Sequence, residues 1–565
     1  MSDFRPDTDA IWQLLGSVLE APAQLQALPA FAEIDAELMQ QVLQEAGKFV
    51  ASEIAPLQRV GDETGAHFNA GQVTMPPGFR AAYQAFWQAG WPALACAPED
   101  GGQGLPSVLE AALYEMLSAA NHGWTMAPGL LHGAYECLRH HGSDALKARY
   151  LAKIASGEWL ATMCLTEAHA GSDLGLVRTK GVPQADGSYR ISGGKIFISG
   201  GEHDLTDNIV HLVLARLPDA PPGPRGLSLF LAPKVLPDGT RNGVHCERIE
   251  EKMGLHGSPT CVLRFEEATG WLVGEPGKGL GAMFVMMNAA RLHVGLQGIG
   301  LLEAAWQKAS AYAAERRQMR APGAGETSLI QDHPAIQRIL GTQRAWIDGG
   351  RVLAYRTAVE LDMLKHHPDA ARRDAAQRWC SLVTPVLKAA WTAQGFHGAS
   401  ACLQVFGGHG YVREWGIEQI VRDARVTMIY EGTNEIQAID LLVRKVLPDG
   451  GDGLRALFDA LAAEGGLPAA VQARFTQLGL LAARLTRATT GRADLPYWVA
   501  DDFLQAVALA LLGWAGSRLR TALPGGQATA HALDTWVLPA YAMHVQIIEQ
   551  HLADTETAAP APSGA

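Results

Sequence analysis

The residues best suited to chemistry sit in four short stretches marked by glycine. The first is Ile429-Tyr430-Glu431-Gly432-Thr433-Asn434-Glu435-Ile436-Gln437. Asn434 and Gln437, three residues apart, suit a capping pair at the start of a helix. Glu431 then falls on the loop just before that helix, and Gly432 removes side-chain bulk beside it. The carboxylate can therefore project into a cavity and accept a proton there. Taken alone, Glu-Gly-Thr is also an ordinary helix start. The second stretch, Leu165-Thr166-Glu167-Ala168-His169-Ala170-Gly171-Ser172-Asp173, follows the apolar run 160–165. Its small residues let backbone N–H groups close on a ligand, and Thr166 and Ser172 add hydroxyls. That combination suits a phosphate or a planar heterocycle rich in acceptors, and equally a plain turn. The third, 193–201 (GGKIFISGG), reads as turn, strand, turn, with Phe197 and Ser199 on one face by period two. Those two could pack on and bond a flat ligand, or Phe197 could be core. The fourth, 404–411 (QVFGGHGY), puts three glycines after a helix, a tight bend able to approach a ligand.

Other chemistries find no residues. The run 295–300 (GLQGIG) lies in a helical pattern, follows no strand and lacks dinucleotide-binding spacing. The turn at 274–279 (GEPGKG) lacks phosphate-loop spacing. There is no HExxH, and the adjacent pairs His140-His141 and His366-His367 point to different sides of a helix, so no metal site is expected. Lys plus Arg is 46 against 58 Asp plus Glu, a net charge of −12 that argues against a nucleic-acid partner. A hydrophobic fraction of 48% argues against disorder. Seven scattered cysteines without a CxxC pair read as reduced thiols in a cytosolic protein. No basic region precedes an apolar core at the N-terminus, so no signal peptide is expected. The longest strongly apolar run, 503–515, is interrupted by Gln505 and too short to span a bilayer.

The elements that must carry the four stretches change character along the chain. Residues 1–155 read as a helical domain, as in 35–50 (DAELMQQVLQEAGKFV), where apolar residues recur every three or four positions. Residues 156–277 carry short β-rich runs punctuated by Gly, Pro and Asp, a small barrel or sandwich. Residues 278–446 return to long helices, near 291–317 and 331–364. The run 447–453 (LPDGGDG) reads as a flexible linker, 454–553 as a further Ala- and Leu-rich helical domain, and 554–565 as a disordered tail. The expected class is a multidomain α+β protein: N-terminal helical domain, middle β domain, C-terminal helical bundle and an extra C-terminal helical domain.

Six blocks in this order, namely the 98–104 loop (PEDGGQG), the 165–173 loop, the 195–200 strand (KIFISG), the long helices, the 406–411 bend and the 429–437 loop, resemble the acyl-CoA dehydrogenase family over about 40–450. The segments 59–63, 76–79 and 252–260 and the C-terminal extension are similar to the extended subgroup that includes 3-methylmercaptopropionyl-CoA and some bacterial fatty acyl-CoA dehydrogenases. The resemblance implies oxidation of an acyl-CoA thioester to its trans-2-enoyl-CoA in fatty-acid β-oxidation, with FAD as hydride acceptor and an electron-transfer flavoprotein as partner. It makes Glu431 the base. Where some relatives carry the base elsewhere, this chain has 288–291 (NAAR) and no carboxylate. It implies flavin contacts from Leu165, Thr166, Gly171, Ser172, Phe197, Ser199, Thr433 and Glu435. Across a homodimer interface it implies Arg316, Gln318, Gln404, Gly407 and Gly408. CoA and thioester contacts fall to Ser172, Asn288, Arg291 and Gly432.

The chain departs from the family at several of these places. Phe197 stands for Trp, Ala168-His169 for Pro-Gly, Met319 for Phe and Glu435 for Gln, and 320–328 looks inserted. An acyl-CoA oxidase reducing O₂ is an alternative, as is a non-catalytic, DNA-repair-associated relative. The arginines of 454–553 are offset by acids and form no basic groove. Acyl length is expected to depend on helix residues within 124–132. The extension, with Trp498, Trp514 and Trp536 as packing anchors, is expected to dock on the catalytic core of a cytoplasmic homodimer. It is expected to be structural, or peripheral at a membrane without spanning it, and to leave the chemistry of Glu431 independent of it.

Overall fold

The computed structural model describes residues 4–558. The chain forms two units: Glu45–His293, and Met1–Gln44 together with Val294–Ala565. The opening residues, expected within an N-terminal domain 1–155, thus belong with the C-terminal unit. Ile11, Leu14, Leu15 and Val18 are buried there. Gln307 grips the backbone of Arg5 from both sides, Phe31 meets His366 edge-on, and Arg518 Nη2 donates to the Val18 carbonyl at 3.3 Å. Short apolar helices must bury their stripe somewhere, and the long helices of this unit supply the surface.

In the Glu45–His293 unit, α1 (Ser107–Thr125) is buried from Val108 onward, its charged Glu110 included, which meets His132 Nδ1 at 3.1 Å. It is broken at Asn121, whose Oδ1 accepts from the Trp124 N–H at 3.0 Å and restarts the helix. The sheet strands are β1 (Leu160–Cys164), β2 (Lys180–Pro183), β3 (Tyr189–Ser199), β4 (Ile209–Arg216), β5 (Leu227–Pro233), β6 (Val244–Ile249) and β7 (Thr260–Val273). Hydrogen-bonded neighbours run β4-β2-β3-β7-β5 and return to β4, closing a ring, with β1 on β4 and β6 on β7. Two runs that read as separate strands, 189–192 and 195–199, are one strand bent at Gly193, where φ is +151°.

In the other unit the main helices are α2 (Gly279–Glu315, within which the unit boundary falls), α3 (Pro334–His366), α4 (Ala370–Val405), α5 (Asn434–Ile439), α6 (Asp452–Ala463), α7 (Ala469–Ala488), α8 (Leu495–Ala522), α9 (Gly526–Ala532) and α10 (Ala540–Ala558). The helix α8 is long and apolar enough to cross a membrane, yet 83% of its most apolar stretch is buried within the protein. It packs on α3 and α4. Trp514 sits edge-on to Trp379 with ring centroids 6.1 Å apart, and the Arg356 guanidinium lies over both rings at 5.0 and 4.4 Å. Of the three expected tryptophan anchors only Trp514 is buried; Trp498 and Trp536 are exposed, because they fall off the inward face.

The expected flexible linker is an ordered turn. Leu447–Asp449 is helical, Gly450 and Gly451 take φ +65° and +83°, and the Asp449 carboxylate accepts from the Gly451 and Gly453 N–H groups. Residues 554–558, expected to be disordered, continue α10; the rest of that tail lies outside the described residues.

Three buried histidines of the Glu45–His293 unit, His122, His203 and His211, set a pH dependence, and burial alone holds His122 down to about 3. Burial, with the positive charge of Lys234 adding to it, holds His203 and His211 down to about 3. Above about 6.5 neither the folded nor the unfolded chain protonates them. Below that value only the unfolded chain takes up the proton, so stability must fall as pH drops toward 3. Thermal unfolding followed between pH 8 and 4 should show a melting temperature that declines below about pH 6.5 and is flat with respect to these groups above it. A melting temperature constant down to pH 4 would contradict this burial.

Candidate active site

The 429–437 loop holds two consecutive residues at positive φ, Glu431 at +56° and Gly432 at +79°. A residue bearing a Cβ pays about 1–2 kcal/mol there, so something must hold Glu431 in place. Gln437, fully buried, does this: its Nε2 donates to the Glu431 carbonyl at 3.0 Å and reaches the Gly432 carbonyl at 3.5 Å. A Cβ on residue 432 would lie 2.8 Å from that same nitrogen, so a side chain there would push on the clamp as well as strain φ. The cap of α5 is Thr433, whose Oγ1 accepts from the Ile436 N–H, and not the expected Asn434–Gln437 pair. Asn434 is buried and engaged elsewhere. Its Oδ1 accepts from Lys388 Nζ at 2.9 Å and Thr392 Oγ1 at 3.1 Å, and its Nδ2 donates to the Ala389 carbonyl at 3.0 Å.

Tyr430 donates its hydroxyl to Gln297 Oε1 at 2.5 Å. Burial, and then the charge of Glu431, push that phenol well above its ordinary value. Glu431 itself is half-buried. Glu435 is exposed, and a hydrogen bond from Thr433 holds its carboxyl below the usual range. The geometry therefore offers one carboxylate on a clamped loop, with its own backbone aimed by a buried amide.

In the β unit the 165–173 loop is pinned to β3. Lys195 has no exposed side-chain surface and pairs with the buried Glu167 at 2.9 Å. Its Nζ also donates to the Leu165 carbonyl at 3.0 Å, and the Ile196 N–H donates to the Thr166 carbonyl at 2.9 Å. Glu167 further accepts from the backbone N–H groups of Arg178 and Thr179 and from Thr179 Oγ1 at 2.6 Å. Burial works against the Glu167 charge, but Lys195 and these bonds prevail and hold the carboxyl below its usual value. Burial likewise lowers the Lys195 ammonium against the pull of Glu167.

The pairing brings Leu165 and Thr166 alongside Lys195 and Ile196, the two residues before Phe197. Phe197 and Ser199 flank the buried Ile198. A bulge falls between Lys195 and Ile198, Phe197 takes φ +60°, and Ile198 becomes the buried residue. Phe197 is left 60% exposed. A bulky aromatic in the left-handed region is an outlier that the fold must hold for a reason. Gly171 and Ser172 are exposed, and a Cβ on Gly171 would meet nothing within 4 Å. An uncovered aromatic next to an open small-residue loop fits a flat heterocycle such as a flavin. In the same unit Arg291, 8% exposed, donates to Asn288 Oδ1 at 3.3 Å.

The remaining expected residues lie on the surface of the other unit. Arg316 and Gln318 form one arm of a hairpin whose crossing bonds are Ile330 N–H to the Arg316 carbonyl at 2.8 Å and Gln318 N–H to the Ser328 carbonyl at 3.2 Å. The inserted residues 320–328 are its tip and return. Gln404, in the last turn of α4, and Gly407 and Gly408, at the bend after it, are exposed. The two places are tied by aromatics: the Tyr312 hydroxyl meets His409 Nδ1 at 2.9 Å, and its ring stacks on Phe406 with centroids 4.4 Å apart. Lys195, Lys388, Gln437 and Tyr312 were not legible as site residues. A lysine at the inward parity of an apolar strand was the one available signal, for Lys195.

Family models for the N-terminal, middle and C-terminal domains of acyl-CoA dehydrogenases match residues 36–158, 162–268 and 277–446. The chain is 46% identical to a 3-methylmercaptopropionyl-CoA dehydrogenase of Ruegeria pomeroyi, over 78% of this chain and 76% of the relative. It is 37% identical to a broad-specificity linear acyl-CoA dehydrogenase of Mycobacterium tuberculosis, over 75% and 72%. Two solved structures share its fold at 22% identity, each covering 94% of this chain and 90% of the other. They are an acyl-CoA dehydrogenase of Bacillus anthracis complexed with FAD (TM-score 0.76) and a Caenorhabditis elegans protein in complex with C11-CoA (TM-score 0.72).

The ion pair that pins the 165–173 loop can be tested directly. Lys195→Met leaves the Glu167 carboxylate buried without its cation, which should cost about 3–5 kcal/mol, while Lys195→Met with Glu167→Met should recover much of that loss. Denaturant unfolding followed by circular dichroism measures both. A single variant as stable as the parent would show that the pair does not hold the loop.

Proposed function

We propose, on the premise that this chain belongs to the acyl-CoA dehydrogenase family and dehydrogenates an acyl-CoA thioester, that Glu431 is the base for the α-proton, with FAD as hydride acceptor. The observation that carries the reading is the posture of Glu431: half-buried, at φ +56°, with its carbonyl held by the buried amide of Gln437. A thioester α-proton is weakly acidic, so its removal needs a base fixed within reach and partly withdrawn from water. A carboxylate on a flexible loop would lose that proximity. The clamp through Gln437 and Asn434 supplies it.

Leu165, Thr166, Gly171, Ser172, Phe197 and Ser199 of the β unit would hold the flavin, and by family resemblance Thr433 and Glu435 are also flavin-contact candidates. The solved B. anthracis relative, complexed with FAD, supports FAD as the cofactor. When bound, FAD accepts the hydride from the β-carbon; its redox chemistry is its own. The chain's residues bind it, orient it and take the proton. Arg291, its guanidinium steadied by Asn288, would hold the CoA portion; by family resemblance Ser172 and Gly432 are thioester-contact candidates. The C11-CoA complex of the C. elegans relative supports a CoA thioester as the ligand of this fold. Arg316, Gln318, Gln404, Gly407 and Gly408, all exposed, would serve the flavin of a second copy in a homodimer. Electrons would leave to an electron-transfer flavoprotein.

The decisive variant is Glu431→Gln, which keeps the shape and removes the proton acceptor. Mixed anaerobically with saturating acyl-CoA, the holoenzyme should show flavin bleaching slowed by about 10³-fold or more, while a non-oxidisable thioether analogue binds as before. Bleaching at the parent rate would place the base elsewhere.

A further inference from the structure

The helix that carries Gln437 is short. α5 has six residues and continues as a wider turn over Asp440–Val446. Helices of this length do not stand on their own; packing must hold them. Ala438, Leu441, Leu442 and Val446 are each fully buried. One covering element is α4, through Lys388, Thr392 and Ala389 at Asn434, and through the Ser381 carbonyl, which accepts from Lys445 Nζ at 2.7 Å. The other is α8, which packs along both α5 and Asp440–Val446. α8 lies beyond residue 446, where the family models end.

α8 is itself fixed from behind. Gly349 of α3 approaches it so closely that a Cβ there would lie 2.2 Å from Leu512 Cδ1. Trp514 and Arg356 lock it to α4 and α3, and Thr529 of α9 donates to Asp348 Oδ2 of α3 at 3.1 Å. At its other end Asp501 senses α5: burial, then the charges of Asp502 and Glu435, push its carboxyl up.

We infer that the C-terminal segment is a positioning element for Glu431: α8 braces α5, and α5 through Gln437 sets the backbone of the base. This revises the expectation that the extension is merely structural and leaves the chemistry independent of it. It rests on the reading of Glu431 as the base. Phe503 and Leu504, both fully buried and in the same half of α8 as Asp501, are the residues through which the brace should act.

The test uses full-length holoenzyme. Phe503→Ala and Leu504→Ala are compared with Leu533→Ala, which packs on α8 at Gly516, toward the opposite end. Hydrogen–deuterium exchange of 430–446 and anaerobic flavin bleaching are measured, with affinity for a non-oxidisable thioether analogue. The Phe503 and Leu504 variants should speed exchange in 430–446 and slow bleaching at saturating substrate by about tenfold or more, with analogue affinity within about twofold. Leu533→Ala should lower the melting temperature without either effect. Unchanged exchange in 430–446, or equal slowing by Leu533→Ala, would overturn the inference. Should Phe503→Ala not fold, Phe503→Leu carries the same comparison. Faster exchange together with a fully active Glu431→Gln would keep the brace and remove the base reading; unchanged exchange with an inactive Glu431→Gln would do the reverse.

Discussion

Two adjacent residues at positive φ, one of them a glutamate, set the demands on the rest of the C-terminal unit. The left-handed conformation turns the Glu431 side chain out of the path an ordinary helix entry would give it, at a cost of about 1–2 kcal/mol. That cost is met locally by Gln437, whose amide bonds the carbonyls of both residues. Gln437 needs a fixed α5, and α5 needs Asn434 bound by Lys388 and Thr392. Lys388 is fully buried, and its amine, a costly group to bury, donates to Asn434 at the first residue of α5, two positions beyond Gly432.

The β unit solves a similar problem with different chemistry. Its loop of small residues has little side-chain surface to pack, so it is held by a buried ion pair and a set of backbone bonds around Glu167. The same strand then bulges at Phe197 and leaves the ring uncovered. In both units a buried lysine steadies the feature that would meet a ligand: Lys195 lies two residues before Phe197, and Lys388, distant in sequence, bonds Asn434 three residues after Glu431.

Much of the architecture was legible because it follows from periodicity. The order helices, strands, helices and further helices is written in the change from three- and four-residue spacing to short β-rich runs and back. The four glycine-marked stretches stood out because glycine is costly unless space or φ demands it. What was not legible depends on partners distant in sequence. An amphipathic stretch such as 11–18 shows that it has an apolar face, not that the face belongs with helices three hundred residues away. The exposure of Phe197 was not legible because the bulge before Ile198 takes it off the inward parity that Lys195 begins. The cap of α5 was misassigned because Thr, Asn and Gln all suit a helix start, and only the buried Lys388 decides that Asn434 is used elsewhere. The run 447–453 has a linker's composition, yet Asp449 closes it into a turn.

The central claim is that this fold holds the Glu431 carboxylate at the α-carbon of a bound thioester. The most direct measurement is the crystal structure of the protein with FAD and a non-oxidisable acyl-CoA analogue. The account predicts a Glu431 carboxylate oxygen about 3–3.5 Å from the α-carbon, with φ of Glu431 still positive and Gln437 still on its carbonyl. A Glu431 side chain turned away from the thioester, or another carboxylate nearer the α-carbon, would contradict it.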